Sequence, residues 1–226
     1  PYGMKRFTRR AFVAGSAAVA AGLAGCSSGG SDPSAQPELG DIASTATPNT
    51  DGTLPTPVAG DPDADVTVAV YEDYACPHCG TYSLDVFPQL GSEYLQPGTI
   101  RYEFHDFPIP VDETVSWEAA NAARAVQAAA GAQAYFEYSE ALFANQSNLS
   151  PETYASLADD IGVDGTTVRQ AATDRTYDDT ILAARQHGQD RGVSGTPTVF
   201  VGDSVVQWNE IAYEPIRTAI EDAKSQ

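Results

Sequence analysis

Cys76 and Cys79 flank Pro77 and His78, and this spacing is the main chemical signal in the chain. Two thiols placed so at the start of a helix can reach one another and cycle between dithiol and disulfide. The run follows Val66-Thr67-Val68-Ala69-Val70-Tyr71, a β-branched stretch that reads as a strand buried on both faces, and it opens a segment of helical composition. Pro77 suits the first helical turn, where its missing N–H costs nothing. The free N–H groups of such a helix point at the Cys76 sulfur and favour thiolate over thiol, and a protonated His78 adds a positive charge beside it. A thiolate stabilised in this way leaves readily from a disulfide, which makes the oxidised pair a stronger oxidant.

The same spacing is also half of a zinc site. A tetrahedral metal would need two further ligands, and besides carboxylates only His78, His105 and His187 are available. His78 lies inside the loop and cannot easily face an ion held by its two neighbours. His105 reads as a strand residue and His187 as a helix-end cation. Redox chemistry without a metal or cofactor is therefore the preferred reading. A second candidate constellation is Gly192-Val193-Ser194-Gly195-Thr196-Pro197-Thr198, directly before an apolar run.

These residues need a scaffold, and its elements are legible. Residues 100–107, in which Tyr102 and Phe104 alternate with Arg101, Glu103 and His105, read as a second strand. Residues 82–94 are helical in character with a kink at Pro88. Residues 113–191 are helical almost throughout: 117–130 is Ala-rich, 134–145 is aromatic and apolar, and Ser150-Pro151-Glu152 opens a further helix with a good cap. Thr198-Val199-Phe200-Val201 is a short strand, Gly202-Asp203 a turn, and Val205-Val206 a returning strand. Residues 209–224 form a closing amphipathic helix. Strands separated by helices specify an α/β fold, and the helical block is too long for a simple crossover. It is an insertion, about residues 110–191, between the second and third strands, capping one side of the sheet.

Taken together, Cys-Pro-His-Cys after an apolar strand, a long helical block and Gly-Val-x-Gly-Thr-Pro-Thr before a strand resemble the DsbA-like branch of the thioredoxin superfamily. The resemblance covers roughly residues 61–223 and includes Ala134-Tyr135-Phe136 and Leu142-Phe143-x-Asn145-Gln146. It implies a thioredoxin-like fold and a protein thiol-disulfide oxidoreductase. Cys76 matches the attacking cysteine, Cys79 the resolving one, and Pro77-His78 the dipeptide that tunes them. Pro197 matches a cis-proline whose loop faces the disulfide, while Thr196 and Gly195 offer backbone to an extended substrate peptide. The implied partners are thiols or disulfides of exported proteins and a second protein that recycles the pair.

Two departures bear on mechanism. Many relatives carry a buried Glu six residues before the first cysteine, where this chain has Val70. Glu72 and Asp73 lie nearer and are expected to be more exposed. Thr196 before the proline also occurs in isomerase and reductase relatives. A reductase or isomerase with the same pair is therefore the alternative enzyme, and a copper- or zinc-binding lipoprotein the alternative from another class.

The N-terminal residues read as an address. Thr8-Arg9-Arg10 precedes an Ala- and Gly-rich apolar stretch ending in Leu23-Ala24-Gly25-Cys26, which resembles a twin-arginine export signal with a lipobox. The stretch is too short and too weakly apolar to span a membrane, which takes roughly 20 residues. Residues 1–25 are thus expected to be removed and Cys26 to carry lipid that anchors the protein outside the cytoplasm. Met4 is the expected initiator. Residues 26–60, rich in Ser, Gly, Pro, Thr and Asp, read as a flexible tether to a domain spanning 61–226.

Composition excludes other classes. Asp and Glu number 31 against 12 Lys and Arg, a formal charge of −19. Nucleic acid is not an expected partner, because phosphate binding requires basic residues to displace counterions. Acidity with only two lysines, Lys5 and Lys224, resembles that of proteins from salt-loving archaea, where high ionic strength screens self-repulsion. A monomer is expected.

Overall fold

The computed structural model describes residues 49–225, all within one compact unit. Arg9, Arg10 and Cys26 lie outside the described residues. A five-stranded sheet runs in the order β1-β3-β2-β4-β5, with β1 Val58–Gly60, β2 Thr67–Glu72, β3 Arg101–Asp106, β4 Thr198–Val201 and β5 Ser204–Val205. β2 lies at its centre, parallel to β3 and antiparallel to β4. Its alternation serves two cores: Val68 and Val70 join the main cluster, while Ala69 and Tyr71 pack with Phe107, Val193 and Phe200. A strand buried on both faces explains the continuous apolar run.

Helical backbone follows at once. α1, Pro77–Thr81, continues into a π turn, Tyr82–Val86, then α2, Phe87–Leu90, and a second π turn, Gly91–Leu95. Pro88 has no N–H to continue the ladder, and the Phe87 N–H just before it reaches back five residues to the Tyr82 carbonyl. The kink expected at Pro88 thus takes the form of a widened turn.

The insertion between β3 and β4 comprises α3 Glu113–Ala144, a 3₁₀ turn Gln146–Asn148, α4 Pro151–Asp160, α5 Gly165–Asp174 and α6 Asp178–Asp190. Because β1 precedes the strands read from sequence, the insertion falls between the third and fourth strands of the full sheet. α3 is two helices joined at Gly131, whose φ of 86° suits a residue without Cβ. Asp112 caps α3 by accepting from Val115, and Ser150 caps α4 by accepting from Thr153. α7, Tyr213–Lys224, starts four residues later than its apolar pattern suggests and buries Ile216 and Ile220.

The ordered chain also begins earlier than Asp61. Residues 58–60 pair with β3, Leu54 is buried, and its N–H donates to Thr180 Oγ1 on α6 at 3.0 Å. The Pro55 carbonyl accepts from Arg124 Nη1 and Gln127 Nε2 at 3.2 and 2.9 Å. Residues 54–60, expected to belong to a flexible tether, are instead packed on the domain; a three-residue strand is too short to show alternation. Arg124 is itself buried, and its Nε lies 2.6 Å from Asp106 Oδ2 at the end of β3. This ion pair ties α3, the sheet and the N-terminal segment together. Among the described residues no helix is long and apolar enough to cross a membrane.

Candidate active site

The loop from β2 to α1 is fixed by Asp73. Its Oδ1 accepts from the Ala75 N–H at 2.7 Å, and its Oδ2 accepts from the Ile109 N–H at 2.7 Å and the Ser116 hydroxyl at 2.8 Å. The Cys76 N–H donates to the Asp73 carbonyl at 3.0 Å. Tyr74 stacks near Phe104 and Phe143, and its hydroxyl is bonded to Tyr135 and Ser139. Cys76 arrives extended, at φ −80° and ψ 117°, immediately before Pro77 opens α1.

From this position the two thiols differ sharply. Cys76 is held down to a pKa of about 5: the Cys79 thiol donates to it, the Thr196 side chain and the Cys79 and His78 N–H groups add to this, and burial opposes them. Cys79 is pushed well above the ordinary thiol range by burial, by its hydrogen bond to Cys76 and by electrostatic coupling to Glu72 and Cys76. Its sulfur accepts from the Asp73 N–H at 3.4 Å. One sulfur is thus a ready thiolate and the other holds its proton.

The loop before β4 faces this pair. The Thr196–Pro197 bond is cis, and Cys76 Sγ lies 3.5 Å from the Thr196 carbonyl. The Thr196 hydroxyl is buried with no hydrogen-bond partner among the described residues. Gly195 closes the turn by accepting from Thr198 Oγ1 at 2.7 Å. Pro77 and His78 are exposed on the rim, and His78 acts on Cys76 through its backbone N–H. Cys76, Cys79, Thr196 and Pro197 are therefore brought together from segments about 120 residues apart.

Glu72 corrects the sequence reading. It was expected to be exposed but is 1% accessible, and the Ser83 hydroxyl donates to its two oxygens at 3.2 and 2.9 Å. Burial lifts its pKa well above the carboxylate range, and the neighbouring Cys76 charge adds to this. The signal was the strand's period of two, which puts Glu72 on the same face as Val68 and Val70. With Ser83 it borders a small cavity lined by Phe87, Tyr102, Phe104 and Phe143. This buried acid is electrostatically coupled to Cys79 and helps that sulfur hold its proton. Asp73 is likewise buried, at 2%. Ser83, Ser116 and Gln146 were not assigned site roles from sequence, because their relation to the cysteines exists only in the folded chain.

The remaining histidines belong elsewhere. Tyr71 stacks on His105 with centroids 4.7 Å apart, and its hydroxyl lies 3.0 Å from His187 Nδ1. Burial, His105 and Arg191 push the His187 pKa down, so this residue is disfavoured as the helix-end cation read from sequence. Among the described residues no three His, Cys, Asp or Glu side chains are grouped to hold a metal ion.

Comparison with known proteins agrees with this geometry. Disulfide bond formation protein D of Bacillus subtilis is 26% identical over 171 residues, covering 73% of this chain and 75% of that protein. The crystal structure of oxidised BdbD from Bacillus subtilis superposes with a TM-score of 0.69 at 24% identity, over 82% of this chain and 100% of that one. The thiol-disulfide exchange protein alpha-DsbA2 from Wolbachia pipientis gives a TM-score of 0.63 at 27% identity, over 74% of this chain and 86% of that one. A family model described as thioredoxin matches residues 53–222, and with the central β2, the Cys-Pro-His-Cys helix start and the opposing Thr196-Pro197 loop in place, the chain belongs to the thioredoxin family.

Proposed function

We propose that this protein is a thiol-disulfide oxidoreductase that acts outside the cytoplasm as an oxidase, introducing disulfides into exported proteins. The observation that carries the reading is the contrast between the two sulfurs, with Cys76 lowered to about 5 and Cys79 raised. Relatives named for disulfide bond formation and thiol-disulfide exchange support it.

In the oxidised protein a substrate thiolate attacks Cys76 Sγ. The Cys76–Cys79 bond breaks, its electron pair goes to Cys79, and Cys79 takes a proton for which Glu72 is the nearby buried acid. A second substrate thiolate then attacks the substrate sulfur of the mixed disulfide and expels Cys76 as a thiolate. The substrate loses two electrons and gains a disulfide, and the pair is left reduced for a recycling partner to reoxidise. Thr196 and Gly195 present backbone to the substrate, and Pro197 keeps the loop against the sulfurs. The alternative from another class, copper or zinc held by the two cysteines, predicts metal in protein purified without tags and equal loss of that metal in the two single cysteine variants.

Localisation completes the proposal: residues 1–25 direct export, Cys26 carries lipid, and the segment up to about residue 53 tethers a monomeric domain to the membrane. Replacing Arg9 and Arg10 by Lys should retain the precursor inside the cell, and Cys26→Ser should free the protein from the membrane fraction. Unchanged membrane association in both would refute the anchor. The activity is tested by the equilibrium reduction potential of the pair against glutathione in high salt. An oxidase requires a value above about −200 mV, whereas a value near −270 mV, typical of thioredoxin, would assign the reverse direction.

A further inference from the structure

Gln146, just past the end of α3, reaches from the helical insertion into the cysteine loop. Its Nε2 donates to the Tyr74 carbonyl at 2.8 Å and to the Cys76 carbonyl at 2.9 Å. Those carbonyls bracket Ala75 and Cys76, the two residues that deliver the attacking sulfur. The carboxamide lies over Gly80 so closely that a Cβ there would overlap Oε1. Gly80 therefore leaves the space that the carboxamide occupies.

These contacts act on the one residue whose backbone must be held. Cys76 is the extended residue ahead of α1, and its carbonyl already accepts the Gly80 N–H at 3.2 Å. Rotation of the Cys76 peptide would turn its sulfur away from the His78 and Cys79 N–H groups. Fixing the carbonyls on both sides of Ala75 opposes that rotation, and one primary amide can do so because it carries two donors. Neither Asn, which is shorter, nor Glu, which lacks donors when ionised, offers the same clamp.

We propose that Gln146 is a positioning residue of the redox centre: its carboxamide clamps the Tyr74 and Cys76 carbonyls, holds Cys76 aimed at the start of α1, and so stabilises the reduced pair over the oxidised one. This rests on the oxidoreductase reading. It also gives the insertion a direct mechanical link to the cysteines, since Gln146 is carried by the turn that follows α3.

The test is a double-mutant cycle read by the equilibrium constant with glutathione. Gln146→Ala removes the clamp, and Gly80→Ala displaces it with the glutamine still present. Each should shift the equilibrium about tenfold toward the disulfide form, which corresponds to about 30 mV lower potential, and each should raise the Cys76 pKa in a thiolate absorbance titration. Because both act through one contact, the double variant should shift about tenfold rather than a hundredfold. A loss of stability shared equally by both redox forms would leave the equilibrium constant unchanged, so the readout separates positioning from simple support. If Gln146→Ala fails to fold, Gly80→Ala alone decides. A wild-type equilibrium constant in the folded variants, or additive shifts in the double variant, would overturn the proposal. Failure of the wild-type pair to equilibrate with glutathione at all would instead refute the oxidoreductase reading.

Discussion

Ser83 donates its hydroxyl to both carboxylate oxygens of Glu72, across the gap between the end of β2 and the first turns of the helical run. The bond offsets part of the cost of burying the acid, yet burial still dominates and Glu72 is biased toward its protonated form. Glu72→Gln keeps the shape and removes the proton. Exchange with a dithiol peptide should slow on the order of 100-fold, the scale of a lost general acid or base. The sign for stability is the reverse. A carboxyl whose folded pKa is raised contributes stability below its unfolded pKa, near 4.5, and loses it as pH rises through the folded value. The variant should therefore gain stability relative to wild type from acid to neutral pH, measured by urea unfolding. Unchanged kinetics would remove Glu72 from the proton path.

The Cys76 thiol works in the opposite sense. Its folded pKa, about 5, lies below the roughly 8.5 of an unfolded cysteine. Its stabilisation of the reduced protein is fully present above the unfolded value and is lost as pH falls through about 5. The reduced form should gain stability over the oxidised form between those limits. Thermal unfolding of both forms from pH 4 to 9 checks it, and a gap that does not change with pH would contradict the thiolate assignment.

Arg124 offers a prediction about the scaffold. Its guanidinium pairs with buried Asp106 and also donates to the Pro55 carbonyl and Gln127 Oε1. Arg124→Leu leaves Asp106 buried without its counter-charge, with only the long contact from the Tyr135 hydroxyl, and should cost about 3–5 kcal/mol in chemical denaturation. It should also loosen the segment around Pro55, visible as faster amide exchange at Leu54. A loss below about 1 kcal/mol would mean the network carries little of the fold.

Much of this arrangement is legible in the amino-acid sequence. The β-branched run of β2 is apolar on both of its faces because both are covered, so it announced a central strand. Pro77 suits a helix start by its chemistry, whereas the place of the Thr196-Pro197-Thr198 run opposite the cysteines came only from the family resemblance. Glu72 departs from the expectation that its charge sets, because register outweighs charge here: the alternation that buries Val68 and Val70 also buries the acid. β1 escaped because three residues carry no period. Gln146 and Ser83 take their roles from where α3 and the turn after α1 come to rest, which no local pattern encodes.

The central claim is that Cys76 attacks and Cys79 resolves, and trapping distinguishes them directly. Cys79 is inaccessible, while Cys76, although only 4% accessible, faces the Thr196 loop where a substrate strand would lie. Cys79→Ser removes the internal thiol that expels a bound partner, so mixed disulfides on Cys76 should accumulate as reducible high-mass bands in cells expressing the full chain. Cys76→Ser should trap few or none. Equal absence of trapped complexes in the two folded variants would contradict disulfide exchange through this pair.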